Sequence, residues 1–265
     1  REEIKKILKF VQKNKNLRVL DTAFEYDKFL EKKYRLNLNN LKINTKLSFL
    51  EEDFKKDKFE NKYLNKLKNK LYFNNLEKFE TIFVHNFDDI KKRNYNKLFK
   101  FMLLLKKKKL SNYTGISIYD PNKLKLLKKS YKVDFVQAPI SLFDRRFLSK
   151  KKNKNLKKKN LLLQARSIFL QGTLINNSKR KNMLKFKNKQ IFSNFENWCE
   201  QKKVENLKVC INFIKDQKNI KSLVIGVENL SQLMKIFYYF KSKKKNIYPR
   251  NIFSKNLGII DPRKW

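Results

Sequence analysis

A chain of 265 residues that carries 66 Lys and Arg against 24 Asp and Glu has a net charge of +42. Its content of 41% hydrophobic and 14% aromatic residues is enough to bury a sizeable core, which excludes global disorder despite a mean hydropathy of -0.71. The charge is mostly Lys spread along the whole chain, with abundant Asn, Ile and Phe and scarce Ala, Gly and Pro, a pattern of compositional drift rather than of a dedicated nucleic-acid surface.

Non-specific, salt-sensitive attraction of polyanions is expected all the same. No segment approaches the roughly 18 apolar residues of a membrane span. No signal peptide is visible, so a cytoplasmic location is expected, although the chain starts on Arg1 rather than Met. Cys199 and Cys210 lack C-x-x-C spacing and ligand company, so they read as reduced structural thiols and no metal site is expected.

In chain order, 1–14 reads as an amphipathic helix with Ile4, Leu8 and Val11 at helical spacing. Short apolar runs near 17–21, 41–46, 80–85, 111–117, 133–138, 161–166 and 221–226 read as strands. Between them, helical patterns lie near 26–35, 58–76, 88–108, 121–131, 142–157, 204–217 and 229–243. Tyr119-Asp120-Pro121 reads as a helix start. The stretch 172–201 is longer than an ordinary connection and is expected to carry its own loop or helix. The lysine runs 106–109, 150–159 and 243–245 fall on or just after helices, as solvated outer faces do.

Strands that alternate with helices signal a parallel α/β fold. Seven strands and an opening helix fit a (β/α)8 TIM barrel lacking its first strand, as a single domain over 1–265; an open doubly wound sheet fits the same alternation. A Rossmann site is not expected, because none of the four glycines has G-x-G spacing.

Three strand ends carry chemistry. Leu20-Asp21-Thr22-Ala23 with Tyr26 follows the first, Thr45-Lys46 ends the second, and Val84-His85-Asn86-Phe87-Asp88 ends the third with the chain's only histidine. In that order these segments resemble the L-D-T-A-x-x-Y, T-K and L-H-x-x-D motifs of the aldo-keto reductases, with Asp27 where the family usually has Gly. The resemblance runs over nearly the whole chain. It implies a catalytic tetrad of Asp21, Tyr26, Lys46 and His85 that reduces a small-molecule aldehyde or ketone by hydride transfer from a nicotinamide cofactor. A phenol has an ordinary pKa of about 10, poor for acid catalysis near neutrality, and a neighbouring ammonium lowers it. Asp21 would then hold Lys46, and His85 would orient the carbonyl oxygen.

The same resemblance implies the cofactor residues. Thr114-Gly115-Ile116-Ser117 is similar to the family's G-V-S-N turn, with Ile118 in place of Asn, so Ser117 and Gln137 are expected on the nicotinamide amide. Arg166, Ser167, Phe169 and Gly172 resemble the turn beside the pyrophosphate, Arg166 standing where an aromatic usually stacks on nicotinamide. Gly226 and Gln232 resemble the late segment at the adenosine end. NADP(H) is the expected cofactor; Glu228, which would repel a 2′-phosphate, keeps NAD(H) open. The C-terminal Leu257-Gly258-Ile259-Ile260-Asp261-Pro262-Arg263-Lys264-Trp265 looks like a bacterial branch associated with surface-sugar biosynthesis, hence a sugar-derived carbonyl. Neither a specific nucleic-acid partner nor a membrane is expected, and the oligomeric state is open. A basic nucleic-acid- or ribosome-associated protein and a decayed, inactive barrel are the other readings.

Overall fold

The computed structural model describes residues 2–17, 19–24, 38, 40–176 and 189–265. Among the described residues, seven strands follow one another in the sheet in chain order: β1 (Val19–Asp21), β2 (Lys42–Leu47), β3 (Phe79–Val84), β4 (Ser111–Ser117), β5 (Phe135–Pro139), β6 (Leu162–Arg166) and β7 (Ile220–Leu223). The pairings β1–β2, β2–β3, β3–β4, β4–β5 and β6–β7 are all parallel. The α-helices are α1 (Glu2–Lys13), α2 (Phe59–Phe73), α3 (Tyr95–Lys107), α4 (Lys150–Lys158), α5 (Lys189–Gln201), α6 (Asn206–Lys215), α7 (Leu230–Lys241) and the short α8 (Leu257–Ile260). Parallel strands in sequential order, joined by helical crossovers, place the chain in the (β/α)8 class.

All seven expected strands form, with ends displaced by a few residues at most. The helix expected at 26–35 lies outside the described residues, and so does 177–188, while α5 occupies the end of the long 172–201 stretch. The helix expected near 88–108 starts only at Tyr95, after two 3-10 turns, and the one near 142–157 shrinks to Lys150–Lys158.

The helix expected at 121–131 is replaced by two 3-10 turns, Pro121–Lys125 and Lys129–Tyr131. Asp120 caps the first by accepting from the Asn122 N–H at 2.8 Å, as the Asp-Pro signal suggested. Leu124 in the first turn and Leu127 between the two turns are both buried. Lys159 then donates to the carbonyls of Leu124 (2.7 Å), Lys125 (3.3 Å) and Leu127, the acceptors that a continuing α-helix would have used.

The chain divides into two compact units, Arg1–Gln137 with Leu156–Leu162, and Ala138–Asn155 with Leu163–Trp265. The first has an aromatic cluster in which Phe49 packs on Tyr63 at 4.5 Å between ring centroids, with Phe54, Phe59 and Phe101 around them. In the second, Phe143 meets Phe192 and Phe195. There the Arg145 guanidinium lies over the rings of Phe213 and Phe253 and donates to the carbonyls of Leu142, Pro249, Arg250 and Ile252, which ties down the C-terminal segment. Cys199 on α5 and Cys210 on α6 are buried free thiols of this unit. No described helix is long and apolar enough to cross a membrane.

Candidate active site

Strand register puts chemistry on one face of the first unit's sheet. Asp21 pairs with Asn44 and Asn44 with Thr81; one step further along, Lys46 pairs with Phe83, Phe83 with Gly115 and Gly115 with Phe135. Ser117 pairs with Gln137 at the next level. Side chains two residues apart on a strand share a face, so Lys46 and Ser48, Phe83 and His85, Gly115 and Ser117, and Phe135 and Gln137 rise in columns toward the strand C-terminal ends. Phe83 and Phe135, 6.5 Å apart and edge to face, form an apolar floor below the polar level.

Lys46 forms an ion pair with Asp21 Oδ2 and lies 3.3 Å from the Thr22 carbonyl. Both side chains are nearly buried, at 8% and 13% exposure. A desolvated pair of this kind is costly unless further hydrogen bonds complete it. Gln137 supplies one, its Nε2 donating to Asp21 Oδ1 at 3.2 Å. That contact also measures curvature. Asp21 and Gln137 sit on β1 and β5, and four strand spacings in a flat sheet would separate them by roughly 19 Å. Their contact requires this part of the sheet to curl toward the face that carries Lys46.

His85 continues the β2–β3 ladder, its N–H bonding the Leu47 carbonyl at 2.8 Å, and its Nδ1 lies 3.4 Å from Ser48 Oγ. Tyr26 lies outside the described residues. Of the four expected tetrad members, the structure therefore joins Asp21 and Lys46 directly and carries His85 on the neighbouring strand end. Ser117 (4% exposed) and Gln137 (fully buried) are register partners, a hydroxyl beside an amide.

The remaining expected cofactor residues belong to the second unit. After β6, Ser167, Leu170 and Gln171 all have positive φ (56°, 48° and 56°), followed by Gly172 at 87°. Three non-glycine residues in the left-handed region within one turn are a local strain that the buried Ile168, Phe169 and Leu170 must hold in place. Arg166 Nη1 bonds Ser167 Oγ at 3.3 Å. Gly226 has open space where a Cβ would project. Gln232 serves the start of α7: Asn229 caps its N–H at 2.9 Å, and its own Oε1 accepts from the Glu228 N–H at 2.9 Å, an arrangement close to a capping box.

Sequence reasoning missed an assembly around the buried Asp53, just after β2. Asp53 accepts from the Leu50 N–H (2.9 Å), Lys62 Nζ (2.6 Å) and the Tyr63 hydroxyl, which also lies 3.0 Å from the Ser48 carbonyl. Burial pushes the Asp53 carboxyl up, but the hydrogen bonds from Lys62, Tyr63 and Leu50 outweigh it and hold it below the usual carboxylate range. Burial and then the Asp53 charge push the Tyr63 phenol well above its ordinary value. The available signal was strand parity: Ser48 stands two residues beyond Lys46 and so faces the same way.

The family model of the aldo/keto reductase family matches residues 2–248. Comparison with curated proteins finds no significant match. Among solved structures, a glycerol dehydrogenase from Gluconobacter oxydans is similar with a TM-score of 0.67 at 16% identity, over 90% of this chain and 80% of that one. An aldo-keto reductase from Bacillus halodurans, in its holo form, gives a TM-score of 0.61 at 13% identity, over 85% of this chain and 77% of the other.

Proposed function

Because the chain belongs to the aldo/keto reductase family, we propose that it is a nicotinamide-dependent oxidoreductase that reduces an aldehyde or ketone, with Tyr26 as general acid. The observation that carries this reading is the nearly buried Asp21–Lys46 ion pair at the ends of β1 and β2, with His85 at the end of the next strand. A buried ion pair is a poor device for stability alone. Placed at strand C-terminal ends, where barrels of this class assemble their sites, it is a device for holding a cation next to a reacting group.

Reduction builds negative charge on the carbonyl oxygen, which needs a proton and electrostatic support. Tyr26 would deliver the proton, and the Lys46 ammonium would make that phenol acidic enough to do so. Asp21 keeps the ammonium in position. His85 would donate to the carbonyl oxygen and orient it. A bound nicotinamide dinucleotide would supply the hydride. Ser117 and Gln137 together offer the hydroxyl and amide that complement a carboxamide, so these residues fit that group. Arg166, Ser167, Phe169, Gly172, Gly226 and Gln232 would hold the rest of the dinucleotide, with NADP(H) the proposed form and NAD(H) the alternative that Glu228 favours. The substrate class is a small carbonyl, of which a sugar-derived one is our choice, and the site of action the cytoplasm.

The test is NAD(P)H oxidation with a reactive aldehyde such as a nitrobenzaldehyde. Tyr26→Phe keeps the ring and should bind cofactor normally, yet lose activity by about 10²–10⁴-fold, the range for general acid–base catalysis. Lys46→Met should lose a comparable amount, and the double variant little more, because both act on one proton transfer. A Tyr26→Phe enzyme that keeps more than about a third of the wild-type rate is far outside that range and would refute the assignment. Since a +42 chain attracts any polyanion, cofactor titrations need ATP as the control, and salt-resistant preference for the dinucleotide is the expected result.

A further inference from the structure

The buried carboxylate at Asp53 has no part in the chemistry just described, and it is expensive. A carboxylate at 2% exposure must be compensated by charge and hydrogen bonds, and an apolar replacement would often be no less stable. What it accomplishes is local. Through the Leu50 N–H it fixes the backbone after Phe49, and it holds the Tyr63 hydroxyl, whose single proton is shared with the Ser48 carbonyl before Phe49; the Phe49 ring packs on Tyr63. The residue brought to a defined position is Ser48, whose hydroxyl lies 3.4 Å from His85 Nδ1.

A neutral imidazole has one N–H, and the partner of one ring nitrogen decides which nitrogen carries it. Were Nδ1 to donate to Ser48, Nε2 would be left as an acceptor, useless toward a carbonyl oxygen. We infer that Ser48 is a positioning residue: its hydroxyl donates to Nδ1 of His85 and so holds the ring as the Nε2–H tautomer, with the Asp53–Tyr63–Lys62 assembly as its mount. The direction of this hydrogen bond rests on the reductase reading, which requires a donor at His85; the coupling of Ser48 to the ring does not.

These 265 residues contain a single histidine, so this chain labelled with ¹⁵N-histidine gives the imidazole nitrogens of His85 alone. Long-range ¹H–¹⁵N correlation at neutral to mildly alkaline pH then reads the tautomer directly. The wild type should show protonated Nε2 and unprotonated Nδ1. Ser48→Ala should shift the population toward that of a free histidine peptide, and Ser48→Thr, which keeps the hydroxyl, should restore the wild-type spectrum. With a test aldehyde, kcat should fall by up to about tenfold in Ser48→Ala, since a correctly held donor supplies only part of the acid–base and electrostatic support. A wild type with protonated Nδ1, or a tautomer population unchanged in Ser48→Ala, overturns the inference. If the protein reduces no carbonyl but the spectrum still responds to Ser48→Ala and recovers in Ser48→Thr, the coupling stands and the reductase reading fails separately.

Discussion

At Gly115 the structure gives a packing reason for glycine. The residue is inside β4, and a Cβ built there would collide with the edge of the Phe83 ring and lie 3.1 Å from the Phe135 carbonyl oxygen. Phe83 is fully buried and cannot swing away. Gly115→Ala should therefore cost about 1–3 kcal/mol through overpacking. For a chain of this size each kcal/mol lowers Tm by roughly 2–4 °C. Adding Phe83→Leu should recover part of the loss, and thermal melts of both singles and the double would show it; an unaffected Gly115→Ala would mean that the floor under the site is loose. Among the proposed catalytic residues, Asp21 and His85 were legible because each follows an apolar run, and Lys46 because Thr45-Lys46 closes the strand between them. The positioning residue Ser48 was legible only as sharing the face of Lys46 by strand parity; that it meets a ring nitrogen depends on the neighbouring strand, which the local sequence does not reveal.

Elements were legible in proportion to how local their cause is. Strands bounded by polar residues and the helices α1, α2, α6 and α7 follow from periodicity, and they form near their expected ends. The segment 121–131 failed because its outcome depends on Lys159, which is far away in sequence and takes the carbonyls that α-helix formation needs. The turn after β2 is another case of a distant cause, with Asp53 and Tyr63 supplying what the chain from Ser48 to Leu50 cannot supply for itself. Its pH response follows from the direction of the Asp53 shift. A carboxyl held below its unfolded value of 3.8 contributes stability that is present above that value and lost as pH falls through the lower, folded one. Asp53→Asn should be less stable than wild type near neutrality and should lose the corresponding part of the acid dependence below about pH 4, the region where an unfolded Asp titrates. Parallel denaturant melts from pH 3 to 7 would check this; identical slopes in the two proteins would mean that Asp53 is not held low.

For the molecule as a whole, the fold class was written in the order of its strands and helices. Composition told least, because a lysine excess spread evenly along a chain marks neither a face nor a partner. The two cysteines, unremarkable for function, are useful for their position. Both lie in the second unit, and the first has none, while the only histidine lies in the first. Burial, and then the neighbouring Glu196 and Glu200, push the Cys199 thiol up to about 12, and burial raises the fully enclosed Cys210 as well. Only the thiolate reacts, so an aromatic disulfide reagent near pH 8 should find both sulfurs silent until the second unit opens. The modification rate is then a clock for that opening, while the His85 resonance keeps separate time for the first unit. Matching denaturant dependences of the two signals would identify a single cooperative unfolding event, and thiols that react while the His85 resonance is still native would show that the second unit opens first.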